Sequence, residues 1–195
     1  MADAYLTHVK FLIVEDNKFM QTVVRRVLST LGAEDIQECA DGADALKIMK
    51  TFPADIIITD WAMEPIDGIE LTRSIRTASD SPNPYIPIIM LTAYSEMNRI
   101  VEARDAGVNE FVIKPISVNT LFSRIQAVID KPRSFIRINN FFGPDRRRKD
   151  MPFKVQERRS QKTTLPENVA SDEPVMNQDD INTLMNPGEG EGEAE

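Results

Sequence analysis

Five residues of the chain have the types and the placement to do phosphoryl chemistry. Glu15 and Asp16 follow the apolar run Val9–Val14, and Asp60 follows Asp55–Thr59. Thr92 follows Ile86–Leu91, and Lys114 follows Glu110–Ile113. Each of these groups stands at the carboxyl end of a short β-type run. Three carboxylates gathered at one edge repel one another unless a cation binds between them. An all-oxygen ligand set with no His or Cys suits Mg²⁺, which keeps several of its waters. A carboxylate beside such a metal can attack phosphorus and become an aspartyl phosphate. An ammonium group then neutralises the equatorial oxygens, and a hydroxyl donates a hydrogen bond to one of them. This reading makes Asp60 the phosphoacceptor and Glu15, Asp16 and Asp60 the metal ligands. Lys114 contacts the phosphoryl group and Thr92 serves as the switch. A lone strand-end acid is more often a helix cap or a solvated charge. Five such groups in order, each ending an apolar strand, point to a site.

The elements that must position them alternate in type. Helical spacing of apolar residues runs through Asn17–Leu31, with Gly32 as a stop. Further helices are predicted over Gly42–Thr51, Gly68–Thr77, Ser95–Ala106 and Ser117–Asp130. Strands are predicted at Val9–Val14, Asp35–Cys39, Asp55–Thr59, Ile86–Leu91 and Glu110–Ile113. These strands are nearly all apolar, which marks parallel strands buried on both faces. Alternation of β and α with short links predicts an α/β, doubly wound, five-stranded parallel sheet. In such sheets a ligand sits outside the carboxyl ends of the strands, where the five groups stand.

The pieces Val14-Glu15-Asp16-Asn17, Asp60-Trp61-Ala62-Met63, Asp67-Gly68, Met90-Leu91-Thr92-Ala93 and Phe111-Val112-Ile113-Lys114-Pro115 resemble the response-regulator receiver family, and within it the CheY-like single-domain regulators. The resemblance covers about the first two thirds of the chain. It implies strand order 2-1-3-4-5, which is the order given for this fold in general. It also implies phosphoryl transfer from the phosphohistidine of a histidine kinase and a cis bond before Pro115. Phe111 takes the place of an aromatic residue that rotates inward on activation. Two departures stand out. The family's Met-Pro is here Met63-Glu64-Pro65, so the loop after Asp60 is expected to differ in shape. The positions two after Asp60 and two after Thr92 are Ala62 and Tyr94, and neither orients an attacking water. Slow self-dephosphorylation is the expectation. Beyond catalysing its own phosphorylation and dephosphorylation, the chain is not expected to be an enzyme.

Charge divides the chain into three blocks. Residues 1–130 hold 12 Lys and Arg against 19 Asp and Glu, a net of −7. Residues 131–162 hold 11 against 3, a net of +8, and residues 163–195 hold none against 9, a net of −9. The expected organisation is a receiver domain over 1–130, a basic Arg-rich extension over 131–162, and an acidic tail over 163–195. The extension is expected to be largely disordered, and such charge blocks often contact something. The single cysteine, Cys39, excludes an internal disulfide framework. Met1–Lys10 is polar, and no apolar run approaches the roughly 18 residues of a membrane span. A cytoplasmic protein is expected. His8, the one histidine, reads as a surface residue rather than a phosphodonor.

The aromatic pair Phe141-Phe142, followed by Arg146-Arg147-Arg148-Lys149, suits a flat anionic surface, because arginine stacks on rings and forks onto phosphates. The segment resembles the arginine-rich extensions of CheY-like proteins that bind cyclic di-GMP, which implies an alternative reading as an effector of that ligand; the competing reading is that the run lies on the chain's own acidic domain or tail. DNA binding is disfavoured, since no recognition-helix pattern follows the receiver. In the acidic tail, Asn177 can cap a helix over 176–186, with Asp180 as capping-box partner and Met176 and Ile181 at staple spacing. Ile181, Leu184 and Met185 then form one apolar face, the pattern of a helix that docks in a groove. The segment resembles the short CheY-binding peptides of the flagellar motor switch protein and the chemotaxis phosphatase. That implies docking either on a CheY-like partner or on the chain's own face around Ser95–Ala106 and Phe111, and a role in chemotaxis or flagellar motor control.

Overall fold

The computed structural model describes residues 5–93, 97–138, 141–145, 177–179 and 181. Five strands, β1 (Phe11–Val14), β2 (Ile36–Cys39), β3 (Ile56–Asp60), β4 (Ile88–Thr92) and β5 (Glu110–Ile113), form one parallel sheet in the order 2-1-3-4-5. Between and after them come α1 (Lys18–Thr30), α2 (Gly42–Ile48), α3 (Gly68–Thr77), α4 (Met97–Ala106) and α5 (Val118–Asp130). The expected fold class and strand order are both found.

The near-continuous apolar strands are explained by what covers them. Successive side chains of a strand point to opposite faces. Along β1, Phe11 and Ile13 enter the core beneath α1 and α5, with Val24, Leu28, Leu121 and Ile125. Leu12 and Val14 enter the core beneath α2 and α3, with Ala45, Leu71 and Ile75. Both faces of β1 are dry, so apolar residues occupy both parities. A third cluster joins Met90 and Phe111 to Ile69 of α3 and to Ile100 and Ala103 of α4.

Caps fix the helix starts. The side chains of Asn17, Asp41, Asp67 and Ser117 each accept from backbone N–H groups of the first turn, which satisfies donors that have no partner inside the helix. The helix predicted over Gly42–Thr51 ends at Ile48. There the chain tightens, with Lys50 N donating to Lys47 O and Thr51 N to Ile48 O, ahead of Pro53. That proline excludes the helical conformation just before it.

Residues beyond α5 add a feature that periodicity does not reveal. Strands β6 (Phe135–Ile138) and β7 (Phe141–Pro144) pair antiparallel, and β7 packs against α3 and α4. Tyr85 meets both Phe135 and Phe142 edge-on, with ring centroids 5.2 Å apart in each case. The backbones of Gly143 and Gly107 also abut. A Cβ on Gly143 would lie 3.1 Å from the Gly107 Cα, and Gly107 itself has φ +106, a conformation side chains disfavour.

Arg76 of α3 ties this end of the molecule together. Its guanidinium donates to Gly107 O (3.1 and 3.0 Å), Pro84 O (2.8 Å) and Asn109 Oδ1 (3.0 Å), and it lies 5.0 Å from the Phe135 ring centroid. Burial pushes its pKa down, to about 9, so it remains charged at neutral pH. Glu110, also buried, takes ion pairs from Arg124 and Arg133, joining α5 and the segment after it to β5.

Removing Arg76 strands several buried acceptors, whereas the exposed pair Arg73–Glu102 lies in water. Arg76→Met is therefore expected to cost on the order of 2–4 kcal/mol. Arg73→Ala is expected to cost about 0.5 kcal/mol or less. Urea denaturation of the two variants checks the contrast.

Candidate functional site

The parallel sheet brings the ends of β1, β3, β4 and β5 to one edge. Register makes the convergence specific: Val14 pairs with Thr59, Asp60 with Leu91, and Thr92 with Ile113. Glu15, Asp60, Thr92 and Lys114 are thus neighbours across four adjacent strand ends. Carboxylate oxygens of Glu15, Asp16 and Asp60 lie within 4.8 Å of one another. Lys114 Nζ forms ion pairs with Glu15 Oε2 at 3.0 Å and with Asp60 Oδ1 at 2.8 Å.

Burial differs among the acids. Glu15 and Asp60 are buried, while Asp16 is exposed. Asp16 opens onto a cleft lined also by Trp61, Ala62, Met63, Glu64, Asp67 and Arg99. Burial raises the Glu15 pKa, and the charge of Asp60 adds to the rise, against the opposing pull of Lys114. Burial works against the charge of Lys114, but hydrogen bonds and charge from Asp60 and Glu15 outweigh it and raise its pKa. One ammonium set against three carboxylates leaves two negative charges uncompensated. A divalent cation supplies that balance, and the all-oxygen donor set fits Mg²⁺ rather than a softer metal.

Local structure holds the acceptor in place. Gly68, the first residue of α3, lies so close to β3 that a Cβ there would sit 2.2 Å from the Asp60 carbonyl oxygen. Gly68 N donates to Trp61 O and Trp61 N to Leu91 O, so the chain just past Asp60 is held from both sides. The bonds before Pro65 and Pro115 are both cis. The second was expected, and the first belongs to the loop whose Met63-Glu64-Pro65 departs from the family pattern. Thr92 and Phe111 are buried, as is Trp61. Ala62 turns a methyl group to the cleft.

A family model described as "Response regulator receiver domain" matches residues 11–126. The chain belongs to the response regulator receiver family. It is 35% identical over 124 residues to "Chemotaxis protein CheY-3" of Vibrio cholerae, an alignment covering 64% of this chain and 94% of that one. It is 34% identical over 122 residues to "Chemotaxis protein CheY" of Pseudomonas aeruginosa, covering 63% and 97% respectively. Among solved structures, chemotaxis response regulator CheY4 of Vibrio cholerae aligns with a TM-score of 0.57 at 28% identity, over 62% of this chain and 98% of that one. The receiver domain of a sensor histidine kinase from Pseudomonas aeruginosa aligns with a TM-score of 0.57 at 32% identity, over 63% and 98%. That receiver holds a magnesium ion in its active-site cleft. This response regulator carries a cluster, Glu15, Asp16 and Asp60, that could bind a metal.

Several expected residues lie outside the described part of the chain. They are Tyr94, the run Arg146, Arg147, Arg148 and Lys149 on which cyclic di-GMP binding rested, and Met176, Asp180, Leu184 and Met185 of the tail. His8 is exposed, and Cys39 is buried with its thiol pushed up to about 12 by burial, unsuited to redox chemistry. Among the described residues no helix is long and apolar enough to cross a membrane. Ile181 is buried against the receiver, in the cluster that holds Phe111, Ile100 and Ala103. Two residues at this end escaped the sequence reading. Arg99 lines the cleft, and Gln178 bonds to β5. Gln178 stands three residues before Ile181 and so shares its helical face, a signal the apolar pattern alone passes over.

Charge balance gives two opposite outcomes for metal binding. Asp16→Asn removes a ligand and is expected to weaken Mg²⁺ binding by about tenfold or more. Lys114→Met removes a competing cation and is expected to strengthen it. Isothermal calorimetry on both variants measures each sign. Glu15 contributes a pH effect. Its raised folded pKa means the folded state keeps a proton that the unfolded state has lost. Metal-free stability therefore falls as pH rises from the ordinary carboxylate range through that raised value. Glu15→Gln is expected to remove this fall, as urea midpoints across the range will show.

Proposed function

We propose that the protein is the phosphoacceptor of a two-component relay. A histidine kinase phosphorylates it on Asp60, and it acts through protein contacts. The observation that carries this reading is the Lys114 ammonium bridging Asp60 and Glu15 beside Asp16. Asp60 offers a carboxylate oxygen that attacks the phosphorus of the phosphohistidine. The P–O bond forms as the P–N bond breaks, and the leaving imidazole nitrogen takes the electron pair and then a proton. Glu15, Asp16 and Asp60 would hold Mg²⁺, and a divalent cation there would supply positive charge to offset that of the transferring group. Lys114 stays charged throughout and exchanges its contact with the free carboxylate for one with a phosphoryl oxygen. Thr92, at the end of the neighbouring strand, donates its hydroxyl to another.

Output lies elsewhere on the receiver. Phe111, packed with Ile100 and Ala103 of α4 in the third apolar cluster, belongs to the face that responds. Relatives named for chemotaxis support a place in chemotaxis or flagellar motor control. The chain's own chemistry extends only to gaining and losing the phosphoryl group. Hydrolysis is slow, because Ala62 has no group to orient a water at the aspartyl phosphate.

Incubation with acetyl phosphate and Mg²⁺ is expected to add one phosphoryl group, detected by intact-mass spectrometry. Asp60→Ala is expected to stay unmodified, and chelation of Mg²⁺ to block the reaction. Ala62→Asn is expected to shorten the phosphoryl lifetime. An unmodified wild-type chain under these conditions would refute the proposal.

A further inference from the structure

β5 is an edge strand of the sheet, yet Glu110, Phe111 and Val112 are buried as deeply as residues of the central strands. Lys114 N donates inward, to Thr92 O of β4. By strand alternation the Ile113 N–H and the Phe111 carbonyl point outward, toward the open edge. An incoming peptide group would satisfy both. Gln178 does so with its side chain instead. Its Oε1 accepts from Ile113 N at 2.8 Å, and its Nε2 donates to Phe111 O at 3.3 Å. A carboxamide carries the same donor and acceptor as a peptide, so one glutamine replaces a unit of a sixth strand.

Ile181 completes the contact. It is 1% exposed, packed in the cluster of Phe111, Ile100, Ala103 and Val108. Asn177 Oδ1 accepts from Asp179 N, and Ile181 N donates to Asn177 O, so a capped helical turn sets Gln178 and Ile181 side by side. The tether is long enough. From 146 to 176 there are 31 residues, about 100 Å when extended.

We propose that Asn177, Gln178, Asp179 and Ile181 form an intramolecular plug on the α4–β5 face. The tail presents to that face a glutamine and, three residues on, an aliphatic side chain. The chain closes this site with its own tail, so a separate protein reaches the face only by displacing the plug. This does not depend on Asp60 being phosphorylated, and it is tested without a phosphodonor.

A labelled peptide of residues 172–187 is titrated into the full chain and into full-chain Ile181→Asp and Gln178→Ala, with binding read by fluorescence anisotropy. Tethering gives the plug an effective concentration on the order of mM, so the peptide is expected to bind Ile181→Asp roughly tenfold or more tightly than wild type. Gln178→Ala is expected to fall between. Equal affinity for wild type and Ile181→Asp, or no binding to Ile181→Asp, overturns the proposal. The Ile113 amide gives a second readout by hydrogen exchange. It is expected to be protected in wild type, faster in Gln178→Ala, and unchanged on dilution. Protection that survives Gln178→Ala overturns the proposed contact. Protection that disappears on dilution shows exchange of tails between copies and overturns the intramolecular assignment.

Discussion

A single ammonium group holds two of three crowded carboxylates, and the architecture is arranged around keeping that imbalance in place. Bringing Glu15, Asp16 and Asp60 within 4.8 Å of one another costs electrostatic energy. Lys114 offsets part of it and leaves a residual charge that a divalent cation matches. The chain tolerates the strain because each group stands at the end of a strand whose other residues are locked in dry packing. Phe11, Ile58, Leu91 and Val112 are all fully buried, so the strand ends cannot move apart without opening the core.

The same edge connects to the surface through short paths. Lys114 lies one residue past Ile113, whose N–H is held by Gln178. Phe111, two residues before Ile113, packs under α4 with Ile181. The strand that supplies the site's cation is therefore also the strand that the tail grips. A group at the carboxyl edge and a helix on the flank share one four-residue element.

Much of this was legible in the amino-acid order. Strands such as Ile56–Asp60 declare themselves because both faces are dry, so the apolar run Ile56-Ile57-Ile58 fills consecutive positions. Site residues declare themselves because a polar group ending such a run has no packing reason to be there. Asn177 and Ile181 were readable as a cap and an apolar anchor. Other features depend on partners distant in sequence. The hairpin of Phe135–Ile138 with Phe141–Pro144 carries the polar pair Asn139-Asn140 between its strands, but Phe141-Phe142 does not alternate with polar residues and Gly143-Pro144 reads as loop. It is held by Tyr85 and Arg76, which lie some fifty residues earlier. Helix α2 was read too long because Met49 is apolar and correctly phased, while the tightening ahead of Pro53 is a backbone effect. Gln178 was passed over because its partners are main-chain groups, which leave no trace in side-chain patterning.

The abutting glycines beneath α4 carry a mechanical consequence. Gly143 of the hairpin rests on Gly107, at the C-terminal end of that helix. Main chain meets main chain there, so the gap between the hairpin and the end of the helix is set without any side chain between them. A methyl group on Gly143 would act as a wedge and pry the two apart.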